Sequence, residues 1–174
     1  MLPPSSTALP IAHLGLRILI ALNWVYGVVV LAILVGMLAA GQWTLTALGV
    51  PPSAQSGALI VGMRAIAAFG LIGVPLNLAV LKRLVAMVQT VRAGDPFVAA
   101  NAQRLQAIAW FLFAEQMLSL VIGVIGKYVS TAAHPLHLDA GFSPSGWLAV
   151  ILTFVLARVF VAGTLMREDL EGTV

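Results

Sequence analysis

Ala93-Gly94-Asp95-Pro96-Phe97, followed by Asn101 and Arg104, is the stretch on which the reading of the chain turns. It separates two long apolar runs and lies in the segment richest in positive charge. Glycine takes a positive φ without a Cβ penalty, so Gly94 can end one helix. Asp95 can cap the next, its carboxylate accepting from the first free amides. Pro96 suits a first helical position, where its missing amide is no loss. One helix should stop here and another begin almost at once, as a tight antiparallel hairpin. The tip of that hairpin would comprise Arg92, Gly94, Asp95, Pro96, Phe97, Asn101 and Arg104.

The composition decides what solvent surrounds those helices. Of 174 residues, 61% are hydrophobic and 9% charged, and the mean hydropathy is +1.05. A soluble domain carries about 25% charged residues. So few charges cannot cover a water-facing surface, and a lipid bilayer is the solvent that fits. Nine Lys and Arg against six Asp and Glu give a small positive excess. It is scattered at helix ends, which argues against direct nucleic-acid binding. The chain has no cysteine, so disulfides, Cys-ligated zinc and iron–sulfur clusters are excluded.

Four apolar runs are long enough to cross a hydrocarbon core, which takes about 20 residues. They cover residues 17–40, 57–82, 107–129 and 146–166. The expectation is an all-α integral membrane four-helix bundle forming a single domain over residues 1–174. A Pro- and Ser-rich arm precedes the first run, and 41–56 and 130–145 read as loops. The first run is too long for the core of a cleaved signal peptide and lacks a basic cluster before it, so it reads as an uncleaved span. The helices flanking Gly94 continue about ten residues past the membrane edge. The turn would then stand roughly 15 Å clear of it.

Positive charge sets the orientation. Lys82, Arg83, Arg92 and Arg104 lie in the middle connection, Arg17 before the first span and Arg167 after the last. The hairpin and both termini should face the cytoplasm, making this a multi-pass cell-membrane protein. Trp43, Tyr128 and Trp147 should mark the outer interface and Trp110 the inner one.

The chemistry-bearing candidates are few. Asn23, Arg64, Glu115 and Arg158 sit inside spans. By residue count Asn23, Glu115 and Arg158 share one depth, roughly 12 Å from the inner edge. Pro75 should free the carbonyl of Leu71 at the same level. A buried polar layer of Asn23, Glu115, Gln116 and Arg158 is therefore expected, with Glu115 paired to Arg158. A structural ion pair is the bland reading, and a proton or ion relay is the sharp one. Arg64 lies nearer the outer edge and can snorkel outward. His134-x-x-His137 with Asp139 could bind a metal, but loop histidines are more often merely solvated, so no metal site is assigned. No hydrolase elbow, phosphate loop, dinucleotide fingerprint or zinc-protease motif is present. Neither enzymatic activity nor a cofactor is expected.

Residues 94–105, Gly-Asp-Pro-Phe-Val-Ala-Ala-Asn-Ala-Gln-Arg-Leu, carry a Pro-Phe-x-x-x-Asn motif. The C-terminus reads Gly163-x-Leu165-x-x-Glu168-x-x-x-Gly172-Thr173-Val174. Together they resemble the bacterial membrane-protein family called domain of unknown function 2975, from the first span to the last residue. The resemblance implies four membrane helices. It also implies a regulatory pairing, because members are commonly encoded beside a small helix-turn-helix regulator. It carries over no catalytic residue. The leading expectation is a non-enzymatic regulatory or sensory protein of the bacterial inner membrane. It would bind a cytosolic partner, such as a helix-turn-helix regulator, through hairpin and tail. The alternatives are a small transporter or channel-like protein using the Glu115–Arg158 layer, which would need to form a homo-oligomer, and an accessory subunit of a larger membrane complex.

Overall fold

Four helices make up the described chain, in the order α1 (Ala8–Ala47), α2 (Ser56–Arg92), α3 (Ala99–Val129) and α4 (Pro144–Glu171). The computed structural model describes residues 8–49, 56–130 and 140–171. Each helix contains a stretch long and apolar enough to cross a membrane. Large apolar side chains point outward along all of them, from Ile11 to Trp43 on α1 and from Leu148 to Met166 on α4. Lipid is the surrounding that makes such a surface stable. At 37 residues α2 is roughly 55 Å long, nearly twice a hydrocarbon core of about 30 Å.

The helices pack in series. α1 lies on α2, α2 on α3 and α3 on α4, and no other pair comes into close backbone contact among the described residues. The bundle is therefore open, and a cleft is left in front of α2 between α1 and α3.

The turn between α2 and α3 forms as a Schellman motif. Gly94 has φ +84°. Its N–H donates to the Val91 carbonyl at 3.1 Å, and the Asp95 N–H donates to Thr90 at 3.0 Å. These bonds satisfy the carbonyls that a helix end leaves open. The start of α3 differs from expectation. Neither Asp95 nor Pro96 begins it. Residues 95–98 lie outside any helix, Val98 stands in extended geometry at the N-cap position, and no side chain caps the helix. Asp95 instead forms an ion pair with Arg167 near the end of α4. Placing a valine at Gly94 should lower stability by about 1–2 kcal/mol, the cost of a left-handed conformation for a residue with a Cβ. Asp95→Ala removes only a half-exposed ion pair and should stay within about 1 kcal/mol of the parent. Thermal unfolding in detergent separates the two.

The turn also does not stand clear of the other helices. Phe97 packs on Phe160 with ring centroids 5.3 Å apart, and a Cβ on Gly163 would come within 2.9 Å of the Phe97 ring. α4 reaches as far as the turn and holds it, because its apolar residues extend to Met166.

At the opposite end α1 breaks. Ala40 leaves helical geometry (φ −149°, ψ 64°), and the chain folds so that Thr44 covers Gly36. Residues 41–47 are thus helical where a loop was expected. Leu45 supplies the reason: it is buried with Met37, Leu59 and Ile60 in the core of this end. Beside this break the Met37 carbonyl is met by Arg64. Its Nε donates to Met37 O at 3.0 Å and its Nη2 donates to the same oxygen. Arg64 therefore does not snorkel outward. An unpaired carbonyl inside a membrane is costlier than a guanidinium held against it.

The α3–α4 connection decides the depth of α4. Gly141 lies against Ser119, donating its N–H to Ser119 Oγ at 3.1 Å and accepting from it through its carbonyl at 3.2 Å. Ser119 lies ten residues before the end of α3, roughly 15 Å along its axis. The chain returns that far before α4 starts. Gly146 in the first turn of α4 then sits directly on the Gln116 amide.

Candidate functional site

The register of α4 disperses the expected polar layer. Gly146 is level with Gln116, so Arg158, twelve residues further along α4, lies roughly 18 Å nearer the turn. Arg158 is exposed, and no ion pair joins it to Glu115. Arg158 would meet Glu115 only if α4 started level with the end of α3, whereas it starts level with Gln116. Gln116 also leaves the layer, since its side chain is turned to α4 and its Oε1 is buried without a hydrogen-bond partner among the described residues. Trp147, expected at the outer interface, is drawn inward for the same reason. Its ring meets Phe113 edge-on at 5.8 Å, and its Nε1 is buried without a partner among the described residues. Trp43 and Tyr128 are exposed at the end away from the turn, and Trp110 is exposed between Phe113 and Phe154.

Asn23 and Glu115 do come together, around the open cleft. This cleft has a volume of about 460 Å³ and is bounded by α1, α2, α3 and Ala140. Its polar wall consists of Asn23, Tyr26, Asn77, Glu115 and Ser119. Asn23 is buried and donates through Nδ2 to the carbonyl of Val74 at 3.1 Å. That carbonyl, directly before Pro75, takes the place expected for Leu71. Ser119 is committed to Gly141. Glu115 Oε1 is buried and has no hydrogen-bond partner among the described residues. Tyr26 and Asn77 were not singled out from sequence. Their signal was faint: two polar side chains in otherwise apolar runs, brought to Glu115 only by the α1–α2 and α2–α3 registers.

The second assembly is the pinned turn. Asn101 is 0% exposed. Its Nδ2 donates to Thr90 Oγ1 at 2.7 Å and to the Pro96 carbonyl at 2.8 Å, while its Oδ1 accepts from Arg104 Nη1 at 2.8 Å. Thr90 Oγ1 donates in turn to Met87 O at 2.7 Å. The Pro-Phe-x-x-x-Asn spacing thus has a physical meaning: the amide reaches back from the first turn of α3 and ties the proline carbonyl to the end of α2. Arg83, part of the orientation signal, also has partners within the fold. It packs over the Phe111 ring at 4.6 Å and donates to Ala79 O at 3.0 Å. Arg92 remains exposed beside the turn.

His134, His137 and Asp139 lie outside the described residues, as does the terminal Gly172-Thr173-Val174. No cluster of three or more potential metal ligands occurs among the described residues.

Four apolar helices in series, a polar cleft at membrane depth and a turn pinned to the last helix define a small multi-pass membrane protein. The chain belongs to the family described as a protein of unknown function (DUF2975), whose model matches residues 66–174. The match begins within α2, so α1, with Asn23 and Tyr26, lies outside it, whereas the resemblance was expected from the first span. No curated protein and no solved structure matches the chain.

Proposed function

We propose that this protein is a non-enzymatic regulatory or sensory component of the cell membrane. In this reading the α2–α3 turn and the end of α4 together bind a cytosolic protein. The observation that carries the reading is the Asp95–Arg167 and Phe97–Phe160 clamp. It fuses two segments distant in sequence into one surface. Val91, Phe97, Leu165 and Met166 are exposed on it, next to Arg92 and Arg167. Apolar side chains set among charges are what a partner-binding surface offers. Beside them a groove of about 290 Å³ runs between Ala102, Gln103 and Gln106 of α3 and Val161, Thr164 and Leu165 of α4. An apolar side chain from a partner helix would fit there. The positive residues at this end support a cytoplasmic location for it and for both termini. The partner that the family resemblance suggests is a small helix-turn-helix regulator. The transporter alternative loses the Glu115–Arg158 pair on which it rested.

Affinity capture from cells in mild detergent tests the reading. The wild-type chain should retain a helix-turn-helix protein. Leu165→Arg and Val91→Asp, which alter exposed positions, should lose it at unchanged thermal stability. Exchanging the ion-pair partners, Asp95→Arg with Arg167→Asp, should keep it. Labelling of a cysteine at Asp95 by an impermeant reagent in intact cells would overturn the reading, as would equal capture by all variants.

A further inference from the structure

We infer that the cleft between α1, α2 and α3 is a binding site for a small amphiphilic amine, held as its ammonium form by Glu115 and reached from within the membrane. Among the described residues no Lys, Arg or His lines the cleft. Arg158, the cation expected to neutralise Glu115, is on the far side of α3 and some 18 Å nearer the turn. A carboxyl group at membrane depth with no protein partner is expensive to maintain and marks a functional site by default. Here its Oε1 has no hydrogen-bond partner among the described residues, and Tyr26 and Asn77 stand on the same cleft as further acceptors. Asn77 is exposed into the cleft, and the Tyr26 hydroxyl stands over Gly70, where a Cβ would come within 3.6 Å of it.

The chemistry of these groups selects the ligand. A divalent cation such as Ca²⁺ or Mg²⁺ needs about six or more oxygens around it, with carboxylates to offset its charge. The cleft offers such an ion a single carboxylate and otherwise neutral groups, and Ser119 is already tied to Gly141. An ammonium needs one carboxylate and one or two acceptors, which Glu115, Asn77 and Tyr26 provide. The rest of the cleft is apolar: Val74, Leu118 and Ile122 form walls for a hydrocarbon body, and Gly70 and Gly73 leave its floor open. The volume of about 460 Å³ falls within the range of small-molecule sites. A way in is present as well. A second cleft of about 390 Å³ shares Asn23, Tyr26 and Asn77 and continues past Leu19, Leu22 and Leu81 along the α1–α2 seam. An amphiphile dissolved in the bilayer enters along that seam, amine first, and its charge is received at Glu115.

The binding claim rests on the cleft alone; that the amine is the stimulus of a sensor rests on the reading given above. The two are tested separately, since binding is read without any partner protein. The full chain is placed in nanodiscs of zwitterionic lipid and titrated with 4-phenylbutylamine and its neutral counterpart 4-phenylbutanol, with empty nanodiscs as background. Binding of the amine should be saturable and about tenfold or more tighter than that of the alcohol. Glu115→Gln should abolish that difference, and Asn77→Leu should weaken amine binding several-fold, both at an unchanged thermal midpoint. Arg158→Gln should leave binding as it is. Should Glu115→Gln not yield a folded protein, Asn77→Leu and the amine–alcohol comparison still decide. Binding no greater than to empty nanodiscs, equal affinity for amine and alcohol, or an amine preference that survives Glu115→Gln would each overturn the proposal.

Discussion

Replacing Asn101 by leucine should be among the most damaging single changes in this protein, lowering stability by about 2–4 kcal/mol. The leucine fills the volume but returns none of the three hydrogen bonds. The Pro96 carbonyl is left without its donor, Thr90 Oγ1 loses a donor, and Arg104 loses the acceptor that holds it. Leaving a buried polar group unsatisfied costs about 1–3 kcal/mol, more than the net gain from an average hydrogen bond. Asn101→Asp separates hydrogen bonding from volume. Aspartate has nearly the same shape and can still accept from Arg104, but it cannot donate to Pro96 O and sets a negative oxygen against that carbonyl. It should therefore cost nearly as much as leucine. Thermal and denaturant unfolding followed by tryptophan fluorescence measures both. A loss below about 1 kcal/mol for Asn101→Asp would show that the two donated bonds do not hold the turn. The same variants should loosen the contact of Phe97 with Phe160, because residues 95–98 are held by Asn101 at one end and by α4 along their length.

Gly123→Val should be the second large effect, about 3 kcal/mol or more, with Gly123→Ala at about 1–3 kcal/mol. A Cβ at this position would lie 2.6 Å from Gly141 Cα and 2.8 Å from its nitrogen. Both neighbours are backbone, so no side chain can rotate aside. The connection must lift off α3, which parts Gly141 from Ser119. This predicts a coupling: Ser119→Ala should cost about 1 kcal/mol in the parent chain and close to nothing in Gly123→Val. Gly15→Ala is the control. Nothing lies within 4 Å of a Cβ there, and alanine in a helix should be neutral or mildly stabilising. Full additivity of Ser119→Ala and Gly123→Val would mean that the two residues do not act through the same docked segment.

These two positions mark where the sequence was easy to read and where it was not. The helix stop at Gly94 was legible because it is a local event: a residue without Cβ, two backbone bonds and a positive φ of 84°. What followed Gly94 was misread because a distant residue decides it. Asp-Pro has the ideal composition of a helix start, yet Asp95 had a stronger claim on it from Arg167, a residue 72 positions away. The Pro-Phe-x-x-x-Asn spacing was visible as a motif, but the burial of its asparagine between the end of α2 and the proline carbonyl depends on the hairpin being closed.

The candidate site was legible only in its ingredients. Asn23 and Glu115 stand out as polar residues in apolar runs, and both line the cleft. Pairing Glu115 with Arg158 required a depth for each, and counting residues from helix ends supplies a depth only when every helix begins at the membrane surface. α4 does not. Nothing in residues 130–145 announces a chain that turns back to Ser119; that return is set by the fit of Gly123 against Gly141. Arg64 shows the same limit, since its partner is a carbonyl beside a break in α1 at Ala40.

The sequence by itself determined the solvent of this protein, the number of its helices, the family it belongs to and the place where α2 ends. Those properties follow from composition, from runs of apolar residues and from the allowed φ of one glycine, all of which act over a few neighbouring residues. The tertiary structure alone decided how deep α4 begins, which side of α3 each polar group faces and hence that Glu115 opens onto a cleft instead of meeting Arg158. The physical reason is that an apolar helix in lipid can slide along its neighbour at little hydrophobic cost, so its register is fixed by close backbone contacts and hydrogen bonds between segments far apart in the chain.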